Sequence, residues 1–281
     1  MQLIKSINSV KKQIRKAKKT GKSIGLVPTM GYFHEGHLSL IRKAVKECDV
    51  VVISIFVNPA QFGPGEDYLR YPRELSRDLH LAEEESVNIV FAPSAKSMYP
   101  NGYQAYVNVE KMSKVLCGIS RPSHFRGVVS VVAKLFNIIE PDIAYFGGKD
   151  AQQAIIVDRM VKDLNMNVKL KVLPIIREKD GLAMSSRNTY LNKMDRKNAA
   201  NLYKSLKGAK RLINSGTRDT NRIIHTMRKM IKSVPHAQID YISVVDAKGL
   251  KPVKRLKGKI LIALAVYFGK TRLIDNIIVR L

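Results

Sequence analysis

Two histidines stand three residues apart in the stretch PTMGYFHEGHLSLI, residues 28–41. His34 and His37 open a helix-period segment, so they share one face of it. A helix start favours anions, and imidazoles there can donate to phosphate oxygens or exchange protons. The same pair could instead cap the helix or bind a metal. Gly31 punctuates the turn, and Gly36 lets the backbone pass close to another group. A second stretch, NPAQFGPGEDYLRYPR at 58–73, puts the amides of Asn58 and Gln61 on a turn. They could bond a hydroxyl or carboxylate without adding charge, or serve the turn alone. A third, YFGGKDAQQ at 145–153, sets Gly147 and Gly148 before a helix. Lys149 there can meet a phosphate, and Asp150 can accept from ribose or cap the helix. The spacing is not that of a Walker A loop. Gln152 and Gln153 follow, one of them turned to a pocket. A fourth, DGLAMSSRNTYL at 180–191, offers the hydroxyls of Ser185 and Ser186 and the guanidinium fork of Arg187.

These stretches need elements to hold them. Short apolar runs lie at 24–28, 50–57, 88–93, 142–147 and 168–176, with helix-period segments between them. Continuous apolar strands alternating with helices predict an α/β fold, a doubly wound parallel sheet covered on both faces. Ligands bind such sheets beyond the carboxyl ends of the strands, and all four stretches follow strands. Helices are expected near 74–86, 127–139 and 151–164. Ile7, Val10, Ile14 and Ala17 mark an N-terminal surface helix. A literal KMSK at Lys111–Lys114 falls before the fourth strand and is read as connecting helix. After residue 176 come two helical segments, 192–213 and 219–233, then three short apolar runs broken by glycines. That order predicts a small α+β unit with an antiparallel sheet. The expected domains are 1–176 and 177–281, hinged near Arg177–Asp180.

Composition narrows the function classes. The chain has 281 residues, 45% hydrophobic and 26% charged, which excludes a disordered, collagenous or disulfide-stapled protein. Its longest apolar runs are far below the ~20 residues of a membrane span. No secretory signal is recognisable. Cys48 and Cys117, without metal spacing, suit a reducing, cytoplasmic setting. The net charge of +26 would draw anionic ligands such as ATP. The basic residues form no single dense block, and no nucleic acid or membrane partner is required.

His-x-Gly-His after the first strand of a parallel sheet resembles the signature of the nucleotidyltransferase and class I aminoacyl-tRNA synthetase superfamily. The Ser-Ser-Arg stretch resembles its second phosphate loop, with Arg in place of a Lys. Together with RPSHFRGVVSVVAKLFN at 121–137 and FGKTRLIDNI at 268–277, the four stretches resemble the pantoate–β-alanine ligase family over nearly the whole chain. The resemblance implies a Rossmann-like domain with a smaller C-terminal lid, usually a homodimer. It implies ATP as co-substrate with Mg2+, pantoate and β-alanine as the other substrates, and a pantoyl-adenylate intermediate. It assigns ATP to Met30, Gly31, Tyr32, Phe33, His34, Glu35, Gly36 and His37, to Gly147, Gly148, Lys149 and Asp150, to Ile176, and to Met184, Ser185, Ser186 and Arg187. His37 would be the proton donor, with His34 and Lys149 on the phosphates. Gln61 and Gln153 would hold pantoate, with Asn58 close by, and Asp78 would lie near the metal-bound phosphates. Arg121 and His124 belong to a family motif without an evident chemical role. Gly148, Ser123 and Ala60 depart from the usual pattern. Gly148 could loosen its loop, Ser123 would be strained at any positive backbone angle, and Ala60 could widen the acid pocket. Two other readings fit parts of the pattern. A different nucleotidyltransferase would keep the nucleotide in its product, and a basic RNA-binding relative would bind with salt-sensitive affinity.

Overall fold

The computed structural model describes all 281 residues. The first part of the chain forms a six-stranded, all-parallel sheet with strands β1 (Gln2–Ile4), β2 (Ile24–Thr29), β3 (Val50–Ile55), β4 (Ile89–Phe91), β5 (Ile143–Gly147) and β6 (Lys169–Leu173). Their order across the sheet is β1-β4-β3-β2-β5-β6. The helices are α1 (Ile7–Lys19), α2 (Glu35–Val45), α3 (Leu75–Glu84), the short α4 (Ala95–Met98) and α5 (Cys117–Ser120), α6 (His124–Ile139) and α7 (Ala151–Asp163).

Both sheet faces are covered, which is why the central strands read as unbroken apolar runs. Leu26 and Val52 pack with α1, α6 and α7 on one face. Val27, Val51 and Ile53 pack with α2 and α3 on the other. The expected strands are thus found, and β1 is added to them. It pairs in parallel with β4, Gln2 against Ile89. The Lys111–Lys114 stretch is a single 3-10 turn at Met112–Lys114 rather than a longer helix.

The rest of the chain folds into α8 (Lys193–Ala199), α9 (Asn201–Asn214) and α10 (Thr220–Lys232), then strands β7 (Ala237–Asp246), β8 (Lys259–Phe268) and β9 (Thr271–Arg280). The segment expected as one helix over 192–213 is two, separated at Ala200. The strands form an antiparallel sheet in the order β7-β8-β9. In the central strand β8, Ile260, Ile262, Leu264 and Val266 face the cluster built with α9 and α10. Leu261 and Ala263 face the core of the first sheet. Burial on both sides explains its nearly continuous apolar sequence. No helix is long and apolar enough to cross a membrane.

Candidate active site

Strand order reverses beside β2. From β2 the chain moves outward through β3 and β4, then returns to the other flank with β5. Such a reversal opens a crevice at the carboxyl ends of the two central strands. A cavity of about 980 Å3 lies there, walled on its far side by the C-terminal sheet.

The loop after β2 is built around Asp78. This carboxylate is 1% exposed and accepts from the backbone N–H of Tyr32 and of Phe33, each at 2.7 Å. Burial pushes its pKa up, against those two hydrogen bonds. Gly31 is required above it: φ is +83°, and a Cβ would lie 2.8 Å from Asp78 Oδ2. Asp78, expected near metal-bound phosphates, thus anchors the loop backbone and is not among the residues that line the cavity. Both of its oxygens are committed to the loop backbone. Gly31, Tyr32, Phe33 and Glu35 also fall outside the cavity lining. Phe33 is buried beneath the loop, and Glu35 pairs outside with Arg42.

Met30, His34, Gly36 and His37 do line the cavity. His34 is the N-cap of α2, and its Nδ1 accepts from Gly36 N–H at 3.1 Å. The group that Gly36 makes room for is this ring, since a Cβ would lie 2.8 Å from His34 Cε1. In return, His34 N–H donates to Nδ1 of His37 at 3.3 Å. A ring nitrogen that accepts carries no proton, so each neutral imidazole bears its hydrogen on Nε2. Burial, with Lys149 adding to it, brings His34 down to about 4. Burial, then His34 and Lys149, holds His37 well below 6.5. The pair is thus a set of neutral donors, and capping and cavity-facing roles coexist in the same rings.

After β3, Asn58 caps a 3-10 turn at Pro59–Gln61. Its amide donates to Gly127 O and Gln61 Oε1, and its oxygen accepts from Ala60 N–H and Tyr99 OH. Asn58 is fully engaged and orients Gln61. The Gln61 amide nitrogen has only the thioether of Met30, a weak acceptor, at 3.0 Å. Arg121 Nη2 donates to Gln61 O at 3.3 Å, and His124 Nδ1 lies 2.9 Å from the same oxygen. The two motif residues without an evident role hold the Gln61 turn. Burial drives His124 down to about 3. Gly127 lets α6 approach, because a Cβ would lie 2.1 Å from Ala60 O. Ala60 does not line the cavity, so the expected widening does not arise there. Ser123 has φ −89° and carries no strain.

After β5, Gly147, Gly148, Lys149 and Asp150 line the cavity. Gly148 has no room for a longer residue without a shift, since a Cβ would meet Leu173 O at 2.9 Å. Rather than loosening, this loop is held by Asn276 of β9, which donates to Gly148 O at 3.0 Å and to Lys149 O at 2.8 Å. Gln153 lines the cavity too. Gln152 is occupied instead, bonding Cys117 N–H and the carbonyls of Met112 and Val115.

Ile176, Met184, Ser185, Ser186 and Arg187 close the wall. Arg187 donates from Nε and Nη2 to Asp67 at 2.7 and 2.8 Å. Burial alone would push Asp67 up, but this guanidinium holds it below the usual carboxylate range. At the start of this segment, Arg177 pairs with the fully buried carboxylate of Asp275 at 2.6 Å. Glu66, Asp67, Asp275 and Asn276 are site residues that sequence reasoning missed. The Glu66–Asp67 dipeptide directly after the turn glycines Gly63 and Gly65 is the one available signal. No group of three or more His, Cys, Asp or Glu could enclose a metal ion.

The comparisons with known proteins agree with this geometry. The family model for pantoate–β-alanine ligase matches residues 2–278. The chain is 56% identical to the pantothenate synthetase of Fervidobacterium nodosum over 280 residues, the whole of both chains. It is 57% identical to that of Acetivibrio thermocellus, again over the whole of both. Its fold is similar to a pantothenate synthetase of Thermus thermophilus, with TM-score 0.94, 40% identity and 99% of each chain covered. It is also similar to a pantoate–β-alanine ligase of Francisella tularensis complexed with beta-gamma ATP and beta-alanine. There the TM-score is 0.80 and identity 35%, over 99% of this chain and 97% of that one. A parallel sheet with an HxGH loop, a cavity shared with a small antiparallel domain and full-length similarity above 50% place the chain in the pantoate–β-alanine ligase family, the pantothenate synthetases.

Proposed function

We propose that this chain forms an amide between pantoate and β-alanine through a pantoyl adenylate. In the first step a pantoate carboxylate oxygen attacks the α-phosphorus of ATP, and the bond to the β-phosphate breaks to release pyrophosphate. In the second step the β-alanine amine attacks the acyl carbon. The acyl–phosphate bond breaks, AMP leaves and the amine loses a proton. The observation that carries this reading is the two neutral, cavity-facing imidazoles set beside Lys149 at the switch point of the sheet.

Attack on a phosphate ester spreads charge over its oxygens, and preorganised donors stabilise that charge. His37 and His34 supply Nε2–H donors whose orientation the mutual caps fix, with His37 as the proton donor. Lys149 and Arg187 supply positive charge to the phosphates, and Ser185 and Ser186 hydroxyls. Gly147, Gly148 and Asp150 would take the ribose side, with Met30, Ile176 and Met184 bounding the nucleotide. Gln61 and Gln153 would hold the hydroxyl and carboxylate of pantoate. Mg2+ would arrive on ATP, with the phosphates as its main ligands. Residues 1–176 and 177–281 act as domain and lid, and a closed lid keeps water from the adenylate. The working form is a cytoplasmic homodimer. The beta-gamma ATP and beta-alanine held by the Francisella relative support the substrate set.

The test is product stoichiometry. With ATP, pantoate and β-alanine, AMP, pyrophosphate and pantothenate should appear in equal amounts. Release of ADP, or a product that retains the nucleotide, would overturn the reading.

A further inference from the structure

Glu66 and Asp67 are consecutive, yet each grips an arginine from a different element. Asp67 takes Arg187 by its Nε–Nη2 edge. Glu66 takes Arg121 by the same edge, at 2.7 Å to Nε and 2.5 Å to Nη2. A guanidinium presents five N–H groups in one plane, and each fork uses two. The Nη1 group of neither arginine is bound within the protein, and both arginines line the cavity. These side chains are 26% and 13% exposed, unlike the outer pair Arg159–Asp163, which is more than half exposed. The loop that carries both carboxylates is also braced to the wall. Tyr190 OH donates to Arg70 O at 3.0 Å, and Tyr71 OH lies 3.5 Å from Ser186 Oγ.

We propose that Glu66 and Asp67 are positioning residues that register the two substrates from one loop. Asp67 aims the free edge of Arg187 at the phosphates of ATP. Glu66 holds Arg121, which with His124 fixes the Gln61 turn on the acid side. A long side chain that is already oriented loses less freedom when its ligand arrives. The fork also offsets part of the arginine charge, so the free edge acts through direction as much as through charge. The inference rests on the substrate reading given above.

The test uses the full chain with Asp67→Asn and Glu66→Gln. Michaelis constants for ATP and pantoate are measured in pyrophosphate exchange, alongside calorimetric ATP binding and melting temperature. Asp67→Asn should weaken ATP about tenfold and change pantoate about twofold or less; Glu66→Gln should do the reverse. Parallel changes in both constants for both variants, or no change in either, would overturn the proposal. Arg187→Lys keeps the charge and loses the fork. It should match Asp67→Asn, and the double variant should be no worse than either. Additive losses would overturn the coupling. If Asp67→Asn fails to fold, Arg187→Lys alone should still weaken ATP about tenfold with pantoate changed about twofold or less, and an unchanged ATP constant would overturn the Asp67 claim. Absence of exchange in the unmodified protein would remove the substrate reading. The Asp67 claim is then decided by ATP binding alone, where equal affinities in the unmodified protein and Asp67→Asn would overturn it.

Discussion

His34 and His37 cap one another across the first turn of α2. The ring of His34 accepts from the turn, and its own backbone N–H is accepted by the ring of His37. Fold and chemistry are thereby joined, because the cap that starts the helix also decides which ring nitrogen carries a proton.

His37→Ala removes a cavity donor and one capping acceptor. Losing a donor to a charged transition state typically slows chemistry about 10²–10³-fold, while a cap is worth about 0.5–2 kcal/mol. The variant should therefore fold cooperatively and lose pantoate-dependent adenylation. Unimpaired turnover in a folded His37→Ala protein would remove His37 from the mechanism.

Acid should weaken the fold earlier than carboxylate titration alone implies. His34 sits at about 4 and His124 at about 3, with His37 also lowered, against an unfolded value of 6.5. Between those limits the unfolded chain binds more protons than the folded one, so stability rises with pH. It is complete above about 6.5 and is lost as pH falls toward 4 and 3, each histidine approaching about 1.4 kcal/mol per pH unit. Urea unfolding between about pH 7.5 and 5 measures the slope. His124→Asn, which can keep a donor to Gln61 O, should flatten it. The exchange rate itself should show no inflection near 6.5, since the donors are already neutral there.

Arg177→Ala would strand the buried Asp275 carboxylate between the two units. Burial already raises the pKa of Asp275 against the pull of Arg177. Removing one partner of such a pair costs about 3–5 kcal/mol, which a shift of the urea midpoint would report. Replacing Asp275 by Leu in the same chain should recover most of the loss. A single variant as stable as the parent would show that the pair carries no stability.

Gln61→Ala should raise the Michaelis constant for pantoate more than that for ATP. Gly127→Ala, whose added carbon collides with the backbone of Ala60, should do the same indirectly while lowering the melting temperature. Equal effects on both substrates would contradict the division of the cavity.

Much of this arrangement could be read along the chain, because its signals are local. Five strands announced themselves by apolar runs, and β8 by burial on both faces. The sixth strand, β1, has three residues, and Gln2 and Leu3 are exposed. It lacks an apolar run and needs β4, far along the chain, to exist. The break at Ala200 was hidden because α8 and α9 continue one helical period. The cavity-facing residues of the HxGH, GGKD and SSR stretches were legible as chemistry. Their partners were not. Asp67 and Arg187 are 120 residues apart, and Asn276 reaches Gly148 from 128 residues away. The backbone partners of Asp78 were hidden for the same reason: Tyr32 and Phe33, whose N–H groups its two oxygens accept, lie 46 and 45 residues away.

The measurement that bears most directly on the central claim is pantoate-dependent exchange of labelled pyrophosphate into ATP, with β-alanine left out. Reversible adenylate formation predicts exchange that requires pantoate and disappears in His37→Ala. A folded, ATP-binding protein that shows no exchange with pantoate would contradict it.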